Sequence, residues 1–442
     1  MSARISSLSH NPLIDIFKVD GDKSISHRSL IFSALALGKS TISGLLEGED
    51  VLGTAAALEK MGVKITRKDN LWEVSGVGYC GLNEPDDVLD MGNSGTSARL
   101  LMGLVAPFNF TTFFTGDESL RARPMGRIFK PLAQMGVKNI SRNGKLPAAI
   151  IGDDDILPVE YEMPVASAQV KSAIMLAALN ILGKTTIIEN EPCRDHTEIM
   201  MRHLGINVET LPLENGGRKI SLAGHQEFSG TNFVIPGDIS SAAFFIVAAL
   251  IIPGSKITIE NVGINPLRSG LIQTLQEMGG DIILKNKRQQ AGEKVADISV
   301  SYSQLNGIEI PAHHAPSMID EYPILAIAAS QAQGVTKMTG LEELKVKESN
   351  RLAAIYEGLK SCGVAVKMGD DDLEVTGKSN SIIANGKKVS KIKTNLDHRI
   401  AMSFLVMGLT MKNGVEIDDY RAINTSFPSF FNIFSNLGVD FS

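Results

Sequence analysis

Six short segments gather the residue types that bind and transform small anions. They are Gly21-Asp22-Lys23-Ser24, Gly92-Asn93-Ser94-Gly95-Thr96, Ala166-Ser167-Ala168-Gln169, Gly237-Asp238-Ile239-Ser240, Asp320-Glu321-Tyr322-Pro323 and Asp397-His398-Arg399. Each stands just before a stretch that is apolar almost all round. Ser, Asp and Asn at such places cap the free N–H groups of a first helical turn. Capping alone does not demand Lys23, Arg28, Arg99, Lys171 or Arg399. A cation near a helix N-terminus opposes the helix dipole, a cost that makes sense when an anion sits between them. Free N–H groups, small residues and adjacent cations together make phosphate and carboxylate sites.

Further cations lie in polar turns: Arg121 and Arg123, Arg194 beside Asp195-His196, and Lys345, Lys347 and Arg351 around Glu348. Taken singly, Arg121 or Lys345 reads as a solvated surface charge. Two carboxylates stand out against this basic background. Asp320 heads an apolar stretch, and Glu348 precedes Arg351 by three residues, one face of an expected helix. Ion pairing is the plain role for both; general acid–base work is the sharper one, because neighbouring charges tune a carboxyl group.

The elements that carry these residues repeat. Six stretches favour buried helix by length and Ala/Leu/Met content: 25–37, 98–106, 170–182, 242–252, 324–332 and 400–411. A turn and a β-branched strand follow each, as at Gly38-Lys39-Ser40-Thr41-Ile42 and Gly183-Lys184-Thr185-Thr186-Ile187. An amphipathic stretch then closes on a glycine, at Gly62, Gly136, Gly205, Gly279, Gly363 and Gly438, spaced by 74, 69, 74, 84 and 75 residues. That glycine reads as a helix C-terminal cap. The chain is therefore an α/β protein of six repeats, grouped as two lobes of three.

Composition removes several functions. Of 442 residues, 43% are hydrophobic and 21% charged, an ordinary globular balance. A net charge of −6 and a single Trp argue against nucleic acid as partner. Cys80, Cys193 and Cys362 are too few and too scattered for a disulfide framework. The opening MSARISSLSHNPL lacks a signal core, and no apolar run nears the roughly 18 residues of a membrane span, so a soluble cytoplasmic protein is expected. Gly76-Val77-Gly78-Tyr79-Cys80-Gly81 fits a dinucleotide pattern but is followed by Leu82-Asn83-Glu84-Pro85 rather than an apolar helix. No metal-ligand motif is present.

The motifs in order resemble the 3-phosphoshikimate 1-carboxyvinyltransferase (5-enolpyruvylshikimate-3-phosphate synthase) family, in its bacterial form. The resemblance runs from about Lys18 to Pro428. It rests on Gly21 to Arg28, Gly92 to Thr96, Arg123-Pro124-Met125, Ser167 to Ser172, Arg194 to Thr197, Lys347 to Arg351 and Asp397-His398-Arg399. It implies the two-lobed enolpyruvyl transferase fold, each lobe three βαβαββ repeats around buried parallel helices, an inside-out α/β barrel. Residues 1–20 and 237–442 would form one discontinuous lobe and 21–236 the inserted one, with the active site in the cleft between them. The implied reaction moves the enolpyruvyl group of phosphoenolpyruvate to the 5-hydroxyl of shikimate 3-phosphate and releases phosphate, the sixth step of the shikimate pathway toward chorismate and the aromatic amino acids.

The resemblance also assigns residues. Lys23, Gly95, Arg123, Gln169, Arg351 and Arg399 would hold phosphoenolpyruvate. Lys23, Ser24, Arg28, Ser167, Ala168, Gln169, Arg194, Asp320 and Lys347 would hold shikimate 3-phosphate. Asp320 would accept the hydroxyl proton, Glu348 would protonate the methylene carbon, and Lys23 would relay a proton as phosphate leaves. No cofactor or metal is implied, the partners are the two small substrates, and the expected state is a monomer. Glyphosate is the expected inhibitor: tolerant members tend to carry Ala where this chain has Gly95. One departure stands near the C-terminus, where Thr425 takes the place of a Lys found in many members. The rival of the same fold, UDP-N-acetylglucosamine enolpyruvyl transferase, typically has a reactive Cys on the loop that here runs from Thr115 to Arg121 without one. A non-catalytic anion-binding protein on the same repeat is the other alternative.

Overall fold

A computed structural model describes residues 11–378 and 389–441; the first ten residues of the opening segment lie outside the described residues. All six apolar stretches form helices: Lys23–Leu35, Gly95–Val105, Ala168–Ala178, Ile239–Ile251, Tyr322–Gln331 and His398–Gly408. Each begins two or three residues before its apolar run, because the polar cap motif supplies the first turn. The first ends early: Ala36 is already extended, so Leu37 opens the strand Leu37–Ser43.

Five of the six starts are capped by a side chain. Asp22, Ser94, Ser167, Asp238 and Asp397 accept from the backbone N–H of Ile25, Ser97, Val170, Ser240 and Arg399. Such a cap is worth about 1 kcal/mol. The remaining start, at Glu321, has no side-chain cap but carries a proline in its first turn, where the missing N–H is no loss. The six closing glycines all take positive φ, with Gly62 at 90° and Gly363 at 76°, the left-handed conformation that ends a helix.

Among the described residues, five four-stranded sheets share one topology. In Leu89–Asp90, Thr111–Thr115, Lys138–Arg142 and Lys145–Ile151, the first strand runs parallel to the second, and the fourth pairs antiparallel with both the second and the third. Two sheets borrow their first strand from a distant segment. Asn232–Val234 pairs with Leu37–Ser43, and Ile14–Phe17 pairs with Lys256–Gly263. The sixth repeat retains only Ser390–Ile392 beside Val415–Ile417 among the described residues.

The chain divides into two units: Met1–Asp20, Pro236–Arg288 and Lys294–Ser442 in one, Gly21–Ile235 with Gln289–Glu293 in the other. Each has its own apolar core built on its three buried helices. Their close approach is visible at Gly103, where a Cβ would collide with the backbone of Ala173 on the neighbouring helix. Among the described residues, no helix is long and apolar enough to cross a membrane.

Candidate active site

In the unit of Gly21–Ile235, the cap motifs bring together several cations, and one of them, Arg28, is held by neutral groups. Arg28, on the helix Lys23–Leu35, is only 3% exposed. Its Nε donates to Thr197 Oγ1 at 2.7 Å, its Nη2 to Ser172 Oγ at 2.7 Å and its Nη1 to the Ser24 carbonyl at 3.0 Å. Burial and the nearby Arg194 push its proton affinity down to about 10, against the pull of Glu198, Asp22 and Glu293. Such a site is short of negative charge and suits a bound anion.

The same unit places the other expected residues around the helix starts. Lys23 pairs with Asp50 at the beginning of the helix Glu49–Lys60. Arg123 donates to Asn93 Oδ1 at 2.7 Å and to Ser119 Oγ at 3.3 Å. Gln169 Nε2 donates to Thr96 Oγ1 at 2.8 Å, joining two helix N-termini. Gly95 lies beneath two guanidinium groups: a Cβ there would stand 2.5 Å from Arg99 Nη1 and 3.1 Å from Arg123 Nη1. Ser24, Ser167 and Arg194 are partly exposed, and Ala168 is buried at its helix start. Behind them a hydroxyl chain fixes the helices, from His27 Nδ1 to Thr54 Oγ1 (2.8 Å) to Ser97 Oγ (2.7 Å). Burial, with Lys23 and Arg28 near, holds His27 well below the usual imidazole range, so its ring is neutral.

The other unit builds its site from ion pairs. Arg351, 1% exposed, meets three carboxylates. Its Nε donates to Asp397 Oδ2 at 2.8 Å, its Nη1 to Asp320 Oδ1 at 3.1 Å, and its Nη2 pairs with Glu348. Burial alone would lower its proton affinity; Asp397, Glu348 and Asp320 raise it instead. Lys347 Nζ lies 3.6 Å from Asp320 Oδ1, and Arg268 Nη1 lies 3.5 Å from Asp320 Oδ2. Arg399 donates to the Asp320 carbonyl and to Glu321 Oε1, both at 3.2 Å.

One local expectation is corrected. Glu348 is not on a helix: it lies in the bend between the short 3-10 turn Glu342–Val346 and the helix Arg351–Ser361, which Asn350 caps. The bend still lets Glu348 reach Arg351. Lys171 departs from the anion-holding cations with which its position groups it. It is fully buried on Glu189 and Glu198.

Several working partners had no assigned role in the sequence. Thr197 and Ser172 stand within recognised motifs, and Asp50 follows Glu49 in what reads as an acidic helix start. Glu321 stands in the motif that Asp320 opens, whereas Arg268 gave little signal, lying in an irregular turn at Pro266-Leu267-Arg268. Chemically, the first unit offers cations for phosphate and carboxylate groups. The second offers two carboxylates, Asp320 and Glu348, fixed on one guanidinium and able to take and give protons.

Comparison with known proteins follows the same direction. A family model described as EPSP synthase (3-phosphoshikimate 1-carboxyvinyltransferase) matches residues 9–434. The chain is 54% identical over 444 residues to the 3-phosphoshikimate 1-carboxyvinyltransferase of Paramagnetospirillum magneticum, covering 100% of this chain and 99% of that one. It is 52% identical to the protein of that name from Rhodospirillum rubrum, covering 98% and 96%. A solved EPSP synthase from Acinetobacter baumannii matches with a TM-score of 0.88 at 42% identity, covering 100% of this chain and 99% of that chain.

Proposed function

The chain belongs to the EPSP synthase family, and from that premise we propose how it works as a 3-phosphoshikimate 1-carboxyvinyltransferase. It transfers the enolpyruvyl group of phosphoenolpyruvate to the 5-hydroxyl of shikimate 3-phosphate and releases phosphate. Lys23, Ser24, Arg28, Ser167, Ala168, Gln169, Arg194, Asp320 and Lys347 hold shikimate 3-phosphate. Lys23, Arg123, Gly95, Gln169, Arg351 and Arg399 hold phosphoenolpyruvate.

Asp320 takes the proton from the 5-hydroxyl as its oxygen bonds to the substituted carbon of phosphoenolpyruvate. Glu348 gives a proton to the methylene carbon, and a tetrahedral adduct forms. The new methyl group then gives a proton back to Glu348, the bond between the carbon and the phosphate oxygen breaks, and Lys23 relays the proton held by Asp320 to the leaving phosphate. Cations around the leaving phosphate stabilise the charge that develops there. The observation that carries this reading is Arg351: acid and base of the addition bond the same buried guanidinium.

Phosphate release with phosphoenolpyruvate and shikimate 3-phosphate tests the reading. Release with UDP-N-acetylglucosamine as acceptor instead, or with neither, overturns it. The loop from Thr115 to Arg121 carries no Cys, which favours the shikimate acceptor. We further propose glyphosate as an inhibitor acting beside Gly95, and a monomeric enzyme; sedimentation tests the latter.

A further inference from the structure

Behind Arg28 lies a buried group of charges that the proposed reaction does not use. Lys171 is 0% exposed, Glu189 1% and Glu198 2%. Lys171 Nζ stands 2.8 Å from Glu189 Oε1 and 2.7 Å from Glu198 Oε1, and donates to the Cys193 carbonyl at 3.3 Å. The Cys193 thiol donates to Glu189 Oε1 at 2.7 Å. One ammonium group thus ties together three segments: the end of the strand Lys184–Glu189, the loop that carries Arg194, and the first turn of the helix His196–His203.

Stability alone is a poor account of this cluster. A buried ion pair replaced by apolar residues of similar volume is often neutral or more stable. Its neighbours in the chain suggest another role. Ser172 follows Lys171 and Thr197 precedes Glu198, and their hydroxyls lie 2.6 Å apart. These two hydroxyls are the ones that hold the Arg28 guanidinium. Arg194 follows Cys193, whose carbonyl Lys171 grips. Two like-charged guanidiniums repel, and Arg194 adds to the burial that lowers the proton affinity of Arg28. Something must hold their supports in place before an anion arrives.

We propose that Lys171, Glu189 and Glu198 are positioning residues for shikimate 3-phosphate: they brace the segments bearing Ser172, Thr197 and Arg194 so that Arg28 and Arg194 converge on its anionic group. This rests on the function proposed above. Preorganisation of this kind lowers the cost of binding and leaves the chemical step alone.

The test is Glu198→Ala beside Glu198→Gln. The alanine leaves a neutral Lys171–Glu189 pair but removes one arm of the brace; the glutamine keeps an acceptor oxygen. Calorimetry with shikimate 3-phosphate should show at least a tenfold loss of affinity for Glu198→Ala and less than threefold for Glu198→Gln. The KM for phosphoenolpyruvate should stay within twofold and kcat at saturation within threefold. A folded Glu198→Ala enzyme with affinity within threefold of the unsubstituted enzyme overturns the proposal. So does a parallel rise in both KM values. If Glu198→Ala does not fold, the triple variant Lys171→Met with Glu189→Gln and Glu198→Leu, which removes all three charges together, decides by the same measurement. Binding of shikimate 3-phosphate without phosphate release by the unsubstituted enzyme would count against the proposed function and not against the brace.

Discussion

Arg28 in one unit and Arg351 in the other are both buried guanidinium groups, yet they are held in opposite ways. Arg28 rests on two hydroxyls and a carbonyl, and its carboxylates act from a distance. Arg351 is in direct contact with Asp320, Glu348 and Asp397. A guanidinium on neutral partners retains charge for a ligand and suits recognition. A guanidinium on carboxylates is compensated before any ligand arrives, and suits the orientation of acid and base. The first arrangement should govern affinity, the second turnover and stability.

The largest effect that can break this contrast is on turnover. Glu348→Gln should lower kcat by a factor of about 10² to 10⁴, the usual worth of a general acid, with shikimate 3-phosphate binding retained. Near-normal phosphate release from that variant would remove Glu348 as the acid. Arg351→Ala leaves buried carboxylates without their counter-ion, and should cost roughly 3–5 kcal/mol of folding stability. Urea denaturation checks it, and a loss below 1 kcal/mol would dissolve the contrast.

Arg28→Ala should act on affinity instead. Loss of a charge-assisted bond of roughly 1.5–3 kcal/mol weakens shikimate 3-phosphate binding about 10- to 150-fold, with stability less affected than by Arg351→Ala. Calorimetry reads it directly. Gly95→Ala pushes a methyl toward Arg99 and Arg123, whose guanidinium ends can shift because Asn93 and Ser119 hold Arg123 through neutral atoms. A several-fold rise in the KM for phosphoenolpyruvate and in the inhibition constant of glyphosate is expected. Equal inhibition of both forms would show that the added methyl does not matter.

The smallest effect concerns a carboxylate set back from Arg28. Glu293 bonds the buried His196 at 2.7 Å. Burial alone would lower the imidazole; Glu293 raises it above its ordinary value. A raised histidine contributes stability that is fully present below its unfolded value near 6.5 and is lost as pH rises through the folded value. Glu293→Gln should therefore destabilise more at pH 6 than at pH 9. A difference from the unsubstituted protein that is constant across that range would show that the pair is not titrating.

Much of the framework was legible in the sequence because it is local. Apolar length located all six buried helices, and Asp22, Ser94, Ser167, Asp238 and Asp397 marked their starts through bonds that span two or three residues. The closing glycines were legible for the same reason, since a left-handed residue is a property of its own backbone. Glu348 was misplaced on a helix because i,i+3 spacing is shared by a helix and by the bend just before one.

Partnerships were another matter. Sequence alone placed cations at helix starts, and could not tell which would stay available and which would be consumed internally. Lys171 and Arg28 both stand in the opening turns of buried helices, yet one is neutralised by Glu189 and Glu198 and the other is left to hydroxyls. Arg351 takes Asp320 and Asp397 from 31 and 46 residues away. Coulombic contacts depend on distances of a few ångströms between segments remote in the chain, which periodicity does not encode. The repeat was written in the sequence; the packing of one repeat on the next decided which cations meet carboxylates and which meet hydroxyls.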